Sequence, residues 1–310
     1  MAKVTRTAFI GFGEAAKSFI DKWQNKLPEV ISAYDIKTRS TLEREAKLLE
    51  YIEHHVQGTF NASEAIIGAQ CIFSLVTPSQ AQVAVDSLAR ELKPKQWLFD
   101  CNSCAPEVKK RNASTVESYG ANYVDVAIMA PVKAQQAIPL NISGRNAAEA
   151  VPILESLGFD VNVISDQVGD ATTVKMVRSV FVKGLEALTA ECALAAHKSG
   201  LEQHIFSSLA KSYPSLNVNS KVAYNLERMA SHGIRRSEEL SAVANTLESL
   251  EIEPKMTKSA LEWHEKIGKQ SLILTNEPEG GQAQSILAAL YPQKANNKEL
   301  TTHCSISSSI

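Results

Sequence analysis

Residues 7–16 read TAFIGFGEAA, and the order of residue types in this stretch decides the fold. A short apolar run ends at Ile10, two glycines follow one residue apart, and small residues then open a helical pattern through Ala15, Ala16, Phe19, Ile20 and Trp23. This predicts a strand, a tight turn and a helix. Gly11 permits the turn, Gly13 lets the backbone come close to a ligand, and Ala16 lets helix and strand pack closely. The first residues of the helix, Glu14 and Ala15, then present their end of the helix to an anion. Residues 30–34 read as a second strand ending in Asp35, and 35 − 11 = 24 residues separates that acid from the first glycine. An acid about twenty residues on is where a dinucleotide-binding turn places its ribose ligand. A carboxylate there repels a 2′-phosphate, so NAD is favoured over NADP, with Lys37 and Arg39 as the nearby cations that could reverse the preference.

Further strand-like runs follow at 69–76, 96–100, 123–128 and 140–143, with helical patterns between several of them. Such alternation predicts an α/β fold with a doubly wound, mostly parallel sheet. Ligands of such sheets bind beyond the carboxyl ends of the strands. By position alone, Thr77 and Pro78, then Asn102 and Ser103, then Met129, Ala130 and Pro131 become site candidates.

Residues 169–191, GDATTVKMVRSVFVKGLEALTAE, carry a different period. Val174, Val177, Phe181, Leu185 and Leu188 recur at helical spacing, with Asp170 or Thr172 able to cap the start. Met176, Val180, Val182 and Ala187 widen the apolar surface, which predicts a helix buried between two bodies. Lys175, Arg178, Ser179 and Glu186 share its polar strip. Beyond it, residues 192–199, 201–210, 220–231, 238–250 and 255–267 read as helices separated by short polar or Pro/Gly breaks. The expected organisation is a Rossmann domain over 1–165, a connecting helix over 166–195 and an all-α domain over 196–310.

Composition narrows the function classes. A chain of 310 residues with 44% hydrophobic residues supports two cores. The formal net charge of −2 lacks the basic excess of a nucleic-acid surface. No run of eighteen apolar residues and no signal-like N-terminus is present, so a cytoplasmic protein with no membrane partner is expected. Five cysteines, an odd number, argue against a disulfide framework. Cys101 and Cys104 have no second pair at ligand spacing, and no metal site is expected.

Several of these segments together resemble the β-hydroxyacid dehydrogenases, the superfamily that includes 3-hydroxyisobutyrate and 6-phosphogluconate dehydrogenases. They are GFGEAA, the turn at 76–78, the DCNSCAP stretch at 100–106, the strand at 124–128, and Gly169-x-Ala171-x-x-x-Lys175. The likeness covers about the first 200 residues. Residues 232–239, HGIRRSEE, resemble a branch whose C-terminal part is the domain of unknown function DUF1932.

The resemblance implies an N-terminal Rossmann domain, a long helix carrying a catalytic lysine at Lys175, an all-helical C-terminal domain and a homodimer. It places Asn102 and Ser103 against nicotinamide and substrate, and Val76, Thr77 and Pro78 beside the cofactor. Removing hydride from an alcohol carbon requires the hydroxyl proton to leave, so a base must lie within reach of that oxygen. A half-buried lysine beside a cation such as Arg178 can serve. Two departures alter the expected substrate. Ser179 stands where relatives have asparagine, and Met129-Ala130-Pro131 stands where they have a serine and two glycines that bind the substrate carboxylate. His232, Arg235 and Arg236 form a basic cluster, taken to lie where one helix ends and the next begins, suited to clamping a second anionic group. The expectation is an NAD(P)-dependent dehydrogenase or reductase of a small polar 3-hydroxyacid, the alternatives being an imine reductase or a non-catalytic NAD(P)-binding regulator.

Overall fold

The structure is a computed structural model that describes residues 4–23, 26–129, 137–270 and 279–290, the last without side chains before residue 283. In chain order the elements are β1 (Arg6–Ile10), α1 (Glu14–Trp23), β2 (Val30–Tyr34), α2 (Arg44–Glu53), β3 (Gln57–Thr59), α3 (Ala62–Ala65), β4 (Cys71–Ser74), α4 (Ala81–Leu88), β5 (Trp97–Asp100), α5 (Pro106–Ser118), β6 (Asn122–Ile128), β7 (Pro139–Ser143), α6 (Ala147–Ser156), β8 (Asp160–Ser165), α7 (Asp170–Ser199), α8 (Glu202–Ser212), α9 (Val218–Ser249), α10 (Lys255–Gly268) and α11 (Glu279–Leu290). The eight strands form one sheet in the order β3-β2-β1-β4-β5-β6-β7-β8. All neighbours run parallel except β6 and β7. This is the mostly parallel, doubly wound sheet that the alternating pattern predicts.

The central strands are apolar on both faces because helices cover both faces. Successive residues point to opposite sides, so Phe9 and Phe73 enter one core while Ala8, Ile10 and Ile72 enter the other. The first core is an aromatic cluster in which Phe73 stacks on Phe99 at 5.0 Å between ring centres and Phe19 meets Phe159 edge-on at 4.8 Å. The chain leaves β1 toward β2 on one side and returns as β4 on the other. That reversal puts the glycine turn at a crevice between the carboxyl ends of β1 and β4, where ligands of such sheets bind.

The chain divides into two compact units, residues 1–185 with 234–263, and residues 186–233 with 264–310. In the first, Met176 of α7 packs with Val243 and Leu247 of α9.

Two sequence expectations are corrected here. Residues 218–249 form one uninterrupted helix, not two helices broken at the HGIRRSEE stretch. Gly233 looks like a breaker, but a Cβ there would collide with the His264 carbonyl oxygen and the Gly268 backbone of α10. The glycine permits a close helix crossing, and the helix continues through it. The second correction concerns α7. Val174, Val177, Phe181 and Leu188 are 39%, 47%, 73% and 60% exposed, so the stripe expected to be buried lies on the surface of this chain. The core contacts come from the neighbouring face, through Met176 and Val180.

Candidate functional site

The glycine turn is locked from below and open above. Gly11 has φ +89°, and a Cβ on it would strike the Leu75 carbonyl oxygen. Its N–H donates to the Tyr34 carbonyl at 2.8 Å, tying the turn to β2. At Gly13, by contrast, nothing lies within 4 Å of the position a Cβ would take. Glu14 and Ala15 begin α1 just beyond. The Asp35 carboxylate accepts from Phe12 N at 2.8 Å and from Lys37 N at 3.0 Å. Lys47 of α2, which sequence reading missed, is buried and donates to the Phe12 carbonyl at 2.8 Å. The Lys37 ammonium pairs with Glu43 at 2.8 Å, and Arg39 lies over the Tyr34 ring at 5.6 Å.

The loops after β4 and β5 are joined through Asn102. Its Oδ1 accepts from Val76 N at 2.7 Å, and its Nδ2 donates to Ser74 Oγ at 2.9 Å and Asp100 Oδ1 at 2.8 Å. The side chain is buried and its amide is spent on holding those loops. Thr77 precedes a single turn of 3₁₀ helix, Pro78–Gln80. Ser103, the next residue after Asn102, accepts a hydrogen bond from Lys175 Nζ at 2.7 Å. The sheet edge and α7 therefore meet at the Lys175 ammonium.

Two buried carboxylates hold that meeting point. Asp100 accepts from Lys109 Nζ at 2.9 Å, Asn112 Nδ2 at 3.0 Å and the Tyr123 hydroxyl at 2.9 Å. Burial alone would push the Asp100 carboxyl up, but Lys109 and the hydrogen bonds from Asn112 and Asn102 outweigh it and hold it below the usual range. Asp125 lies 3.3 Å from Lys109 and caps α7. Its Oδ2 accepts from Gly169 N at 3.2 Å and Thr172 N at 3.1 Å, and its Oδ1 from Thr172 Oγ1 at 2.6 Å. Ser143 completes the cap by accepting from Ala171 N at 3.0 Å while donating to Asp125 at 3.1 Å. A carboxylate at a helix N-terminus is stabilised by the unpaired N–H groups and the dipole. The cap therefore comes from a strand 44 residues upstream, and of the two expected capping residues Thr172 is a donor to it. Asp170 instead accepts from Ser165 Oγ at 2.6 Å.

Along α7, Lys175, Ser179 and Lys183 follow at intervals of four and so share one face. Lys183 Nζ donates to Ser179 Oγ at 3.3 Å and pairs with Glu239 Oε2 of α9 at 2.9 Å. Glu239 Oε1 takes a second cation, Arg235 NH1, at 2.9 Å. Burial pushes the half-buried Lys175 ammonium down to about 8, opposed by Glu239 and assisted by Lys183 and Lys109. The assisting cations are therefore not Arg178, which is exposed. Lys183 and Lys109, like Lys47, are residues that sequence reading passed over. For Lys183 the signal was present in its eight-residue spacing from Lys175. Lys109 depends on long-range packing.

Of the remaining candidates, Met129 is partly buried and its N–H donates to the Pro139 carbonyl at 3.0 Å, while Ala130 and Pro131 lie outside the described residues. Arg236 is buried, Arg235 is exposed and His232 is partly exposed. All three lie on α9, Arg235 and Arg236 three and four residues after His232. Cys101 and Cys104 are free, buried thiols, each pushed up to about 12 chiefly by burial. Among the described residues there is no cluster able to hold a metal ion, and no helix long and apolar enough to cross a membrane.

Comparison with known proteins finds similar sequences and similar folds. The domain of unknown function DUF1932 matches residues 196–267. A conserved hypothetical protein from Sinorhizobium meliloti has a similar structure, with 27% identity, a TM-score of 0.70, and 93% of this chain and 96% of that one covered. A 3-hydroxyisobutyrate dehydrogenase from Pseudomonas aeruginosa is 24% identical over 216 residues, covering 67% of this chain and 70% of its own. The fold is shared with Mycobacterium tuberculosis 3-hydroxyisobutyrate dehydrogenase solved with L-serine, at TM-score 0.69 and 14% identity over 91% of this chain and 99% of that one. It is shared also with Psf3 solved with NADP+ and 2-OPP, at TM-score 0.64 and 15% identity over 90% and 99%. The fold is thus that of the hydroxyacid dehydrogenases. Together the matches show a chain with the fold of the hydroxyacid dehydrogenases that carries a DUF1932 segment over residues 196–267.

Proposed function

We propose that the chain is an NAD(P)-dependent dehydrogenase or reductase that interconverts a small polar 3-hydroxyacid and its oxo form. The observation that carries this reading is the Lys175 ammonium. It is 2.7 Å from Ser103 at the carboxyl edge of the sheet, on a helix anchored by Asp125, with its proton affinity lowered to about 8.

The residues of the glycine turn fit a dinucleotide. Gly13 leaves the space that a pyrophosphate would fill, and the first turn of α1 faces it. Gly11, Glu14 and Ala15 would hold the pyrophosphate, Asp35 the ribose, and Val76, Thr77 and Pro78 the nicotinamide side. When bound, the nicotinamide accepts or supplies the hydride. Lys175 does the accompanying proton transfer. As the neutral amine it removes the proton of the substrate hydroxyl, and in reduction the ammonium returns a proton to the carbonyl oxygen. Ser103 and Ser179 flank it and can hold the same oxygen. Asn102 keeps the two loops in register. Met129 would border the substrate.

Asp35 supports a preference for NAD, because Lys37 is paired with Glu43 and Arg39 is stacked on Tyr34. Replacing Asp35 with serine is expected to raise the relative use of NADP. An unchanged NAD-to-NADP ratio would remove Asp35 from the selection. His232, Arg235 and Arg236, with Arg178, supply cations for a second anionic group on the substrate, and the double change of Arg235 and Arg236 to alanine is expected to raise KM. An unchanged KM would rule out the clamp. The exposed apolar stripe of α7 supports a homodimer. Sedimentation should find Phe181→Asp monomeric if that stripe is the contact, and an unchanged mass would exclude it.

The test of the reading itself is spectrophotometric. Purified protein is mixed with NAD or NADP and a panel of small 3-hydroxyacids, and formation of reduced cofactor is followed. In oxidation kcat/KM should rise with pH through about 8, as Lys175 loses its proton. Turnover that is flat across that range would contradict the assigned role.

A further inference from the structure

Lys175, Ser179 and Lys183 share one face of α7, and the last two are linked to a carboxylate of α9 by a chain that has a direction. An ammonium only donates hydrogen bonds, whereas a hydroxyl both donates and accepts. Lys183 Nζ, 3.3 Å from Ser179 Oγ, therefore uses an acceptor lone pair of that oxygen. The Ser179 hydrogen is left to point elsewhere, and Lys175 is one turn away on the same face. Lys183 in turn is held by Glu239 at 2.9 Å, with Arg235 bonded to the other oxygen of the same carboxylate at 2.9 Å. Lys183 is buried, which costs free energy unless a carboxylate faces it. A surface pair of this kind would be worth little, but here the ammonium is nearly out of reach of water.

We propose that Lys183 and Glu239 are positioning residues of the site: the pair fixes Ser179 as a donor toward the substrate oxygen and sets the protonation of Lys175. This rests on the reading of Lys175 as the proton-transfer group. In the superfamily that this chain resembles, an asparagine amide stands at the position of Ser179. An amide nitrogen is a fixed donor, and a serine hydroxyl becomes one only when something occupies its oxygen. Lys183 does so here. The substitution at Ser179 and the buried pair are then two parts of one arrangement.

The titratable groups facing Lys175 are Glu239 from α9, Lys183 from α7, Lys109 from α5, and the neutral Cys101 thiol after β5. Those facing Glu239 are Lys183, Lys175 and Arg235, which together outweigh burial and hold its carboxyl at about 2. Glu239 is therefore ionised throughout the working range. It favours the charged form of Lys175, while Lys183 and Lys109 favour the neutral amine. Removing Glu239 must lower the Lys175 pKa, and removing Lys183 must raise it.

The experiment titrates Lys175 directly in the full chain, with no substrate. Acetic anhydride labelling at a series of pH values, read by mass spectrometry of the peptide that contains Lys175, gives the midpoint at which its amine becomes reactive. The midpoint is expected near 8 in the unaltered chain. It should fall by about one pH unit in Glu239→Gln and rise by about one unit in Lys183→Met, the low end for a neighbouring charge. Glu239→Asp, which keeps the charge, should stay near the unaltered value. Circular dichroism checks the fold of each variant. If Glu239→Gln fails to fold, the rise in Lys183→Met decides the matter alone. A midpoint that stays put in the folded variants overturns the proposal. Shifts in the expected directions in a protein that turns over no hydroxyacid would leave the pair standing and remove the dehydrogenase reading.

Discussion

Asp125 to asparagine is the substitution whose consequence can be worked furthest from the structure. The aspartate is fully buried and its two oxygens serve three elements. Oδ2 caps α7 through Gly169 N and Thr172 N, while Oδ1 takes the Thr172 hydroxyl and faces Lys109 at 3.3 Å. An asparagine of the same size keeps one acceptor, which can continue to cap the helix. Its amide nitrogen must then face either the helix N–H groups or the Lys109 ammonium, and both are donors. Asp100 still neutralises Lys109 at 2.9 Å, so the loss falls short of the about 3–5 kcal/mol for stripping a buried ion of its partner. One charge-assisted hydrogen bond lost and one donor left facing a donor come to about 3 kcal/mol together. For a unit of this size that lowers the thermal midpoint by roughly 6–12 °C. The assay is urea and thermal unfolding followed by tryptophan fluorescence, since Trp23 and Trp97 lie in the same unit. Ser143→Ala, which removes one member of the same cap, should cost about 1 kcal/mol. The reasoning fails if Asp125→Asn unfolds within about 0.5 kcal/mol of the unaltered chain, the range of an ordinary surface substitution.

Two other outcomes follow from the same structure. Gly233→Ala places a methyl group against the His264 carbonyl and the Gly268 backbone; overpacking should cost about 1–3 kcal/mol, against the small gain expected of alanine in an ordinary helix, and chemical denaturation distinguishes the signs. Lys175→Met should raise stability at pH 7, because it removes an ammonium whose burial pushes its pKa down to about 8 from 10.5. The sign reverses the usual pattern for a lysine. Between about 8 and 10.5 the unfolded chain binds the proton and the folded chain does not, so the unaltered protein gains stability with rising pH. The advantage of the methionine variant should therefore shrink over that window, and a constant difference from pH 7 to 10.5 would contradict the assigned shift.

Much of the fold was legible because its signals are local. The glycine turn, the apolar runs of β1, β4 and β5 and the period of α7 each state their own structure within a few residues. Signals that depend on distant partners misled or went unseen. Gly233 reads locally as a break, and only the approach of α10 shows why it sits inside a continuous helix. The apolar stripe of α7 reads as core, yet in the single chain Phe181 and Leu188 are exposed. β3 and β8 were not read as strands, being respectively three residues long and an edge strand with no buried side chain. In the candidate site, Lys175 and Ser103 are 72 residues apart in sequence and are brought to 2.7 Å. Their roles were read from resemblance, and their meeting is visible only in the fold. Lys109, buried between Asp100 and Asp125, could not be told from any helical surface lysine by spacing alone. Asn102, read as a ligand contact, spends its amide on Val76, Ser74 and Asp100.

In the proposed function, Lys175 transfers the proton that accompanies hydride transfer. Its most direct test compares the unaltered chain with Lys175→Ala, each supplied with NAD or NADP and the hydroxyacid panel, at pH values on either side of 8. Cofactor binding should persist while turnover falls at least about 10²-fold, the lower range for losing a positioned acid or base. Turnover that survives the change to alanine would contradict it and move the chemistry away from α7.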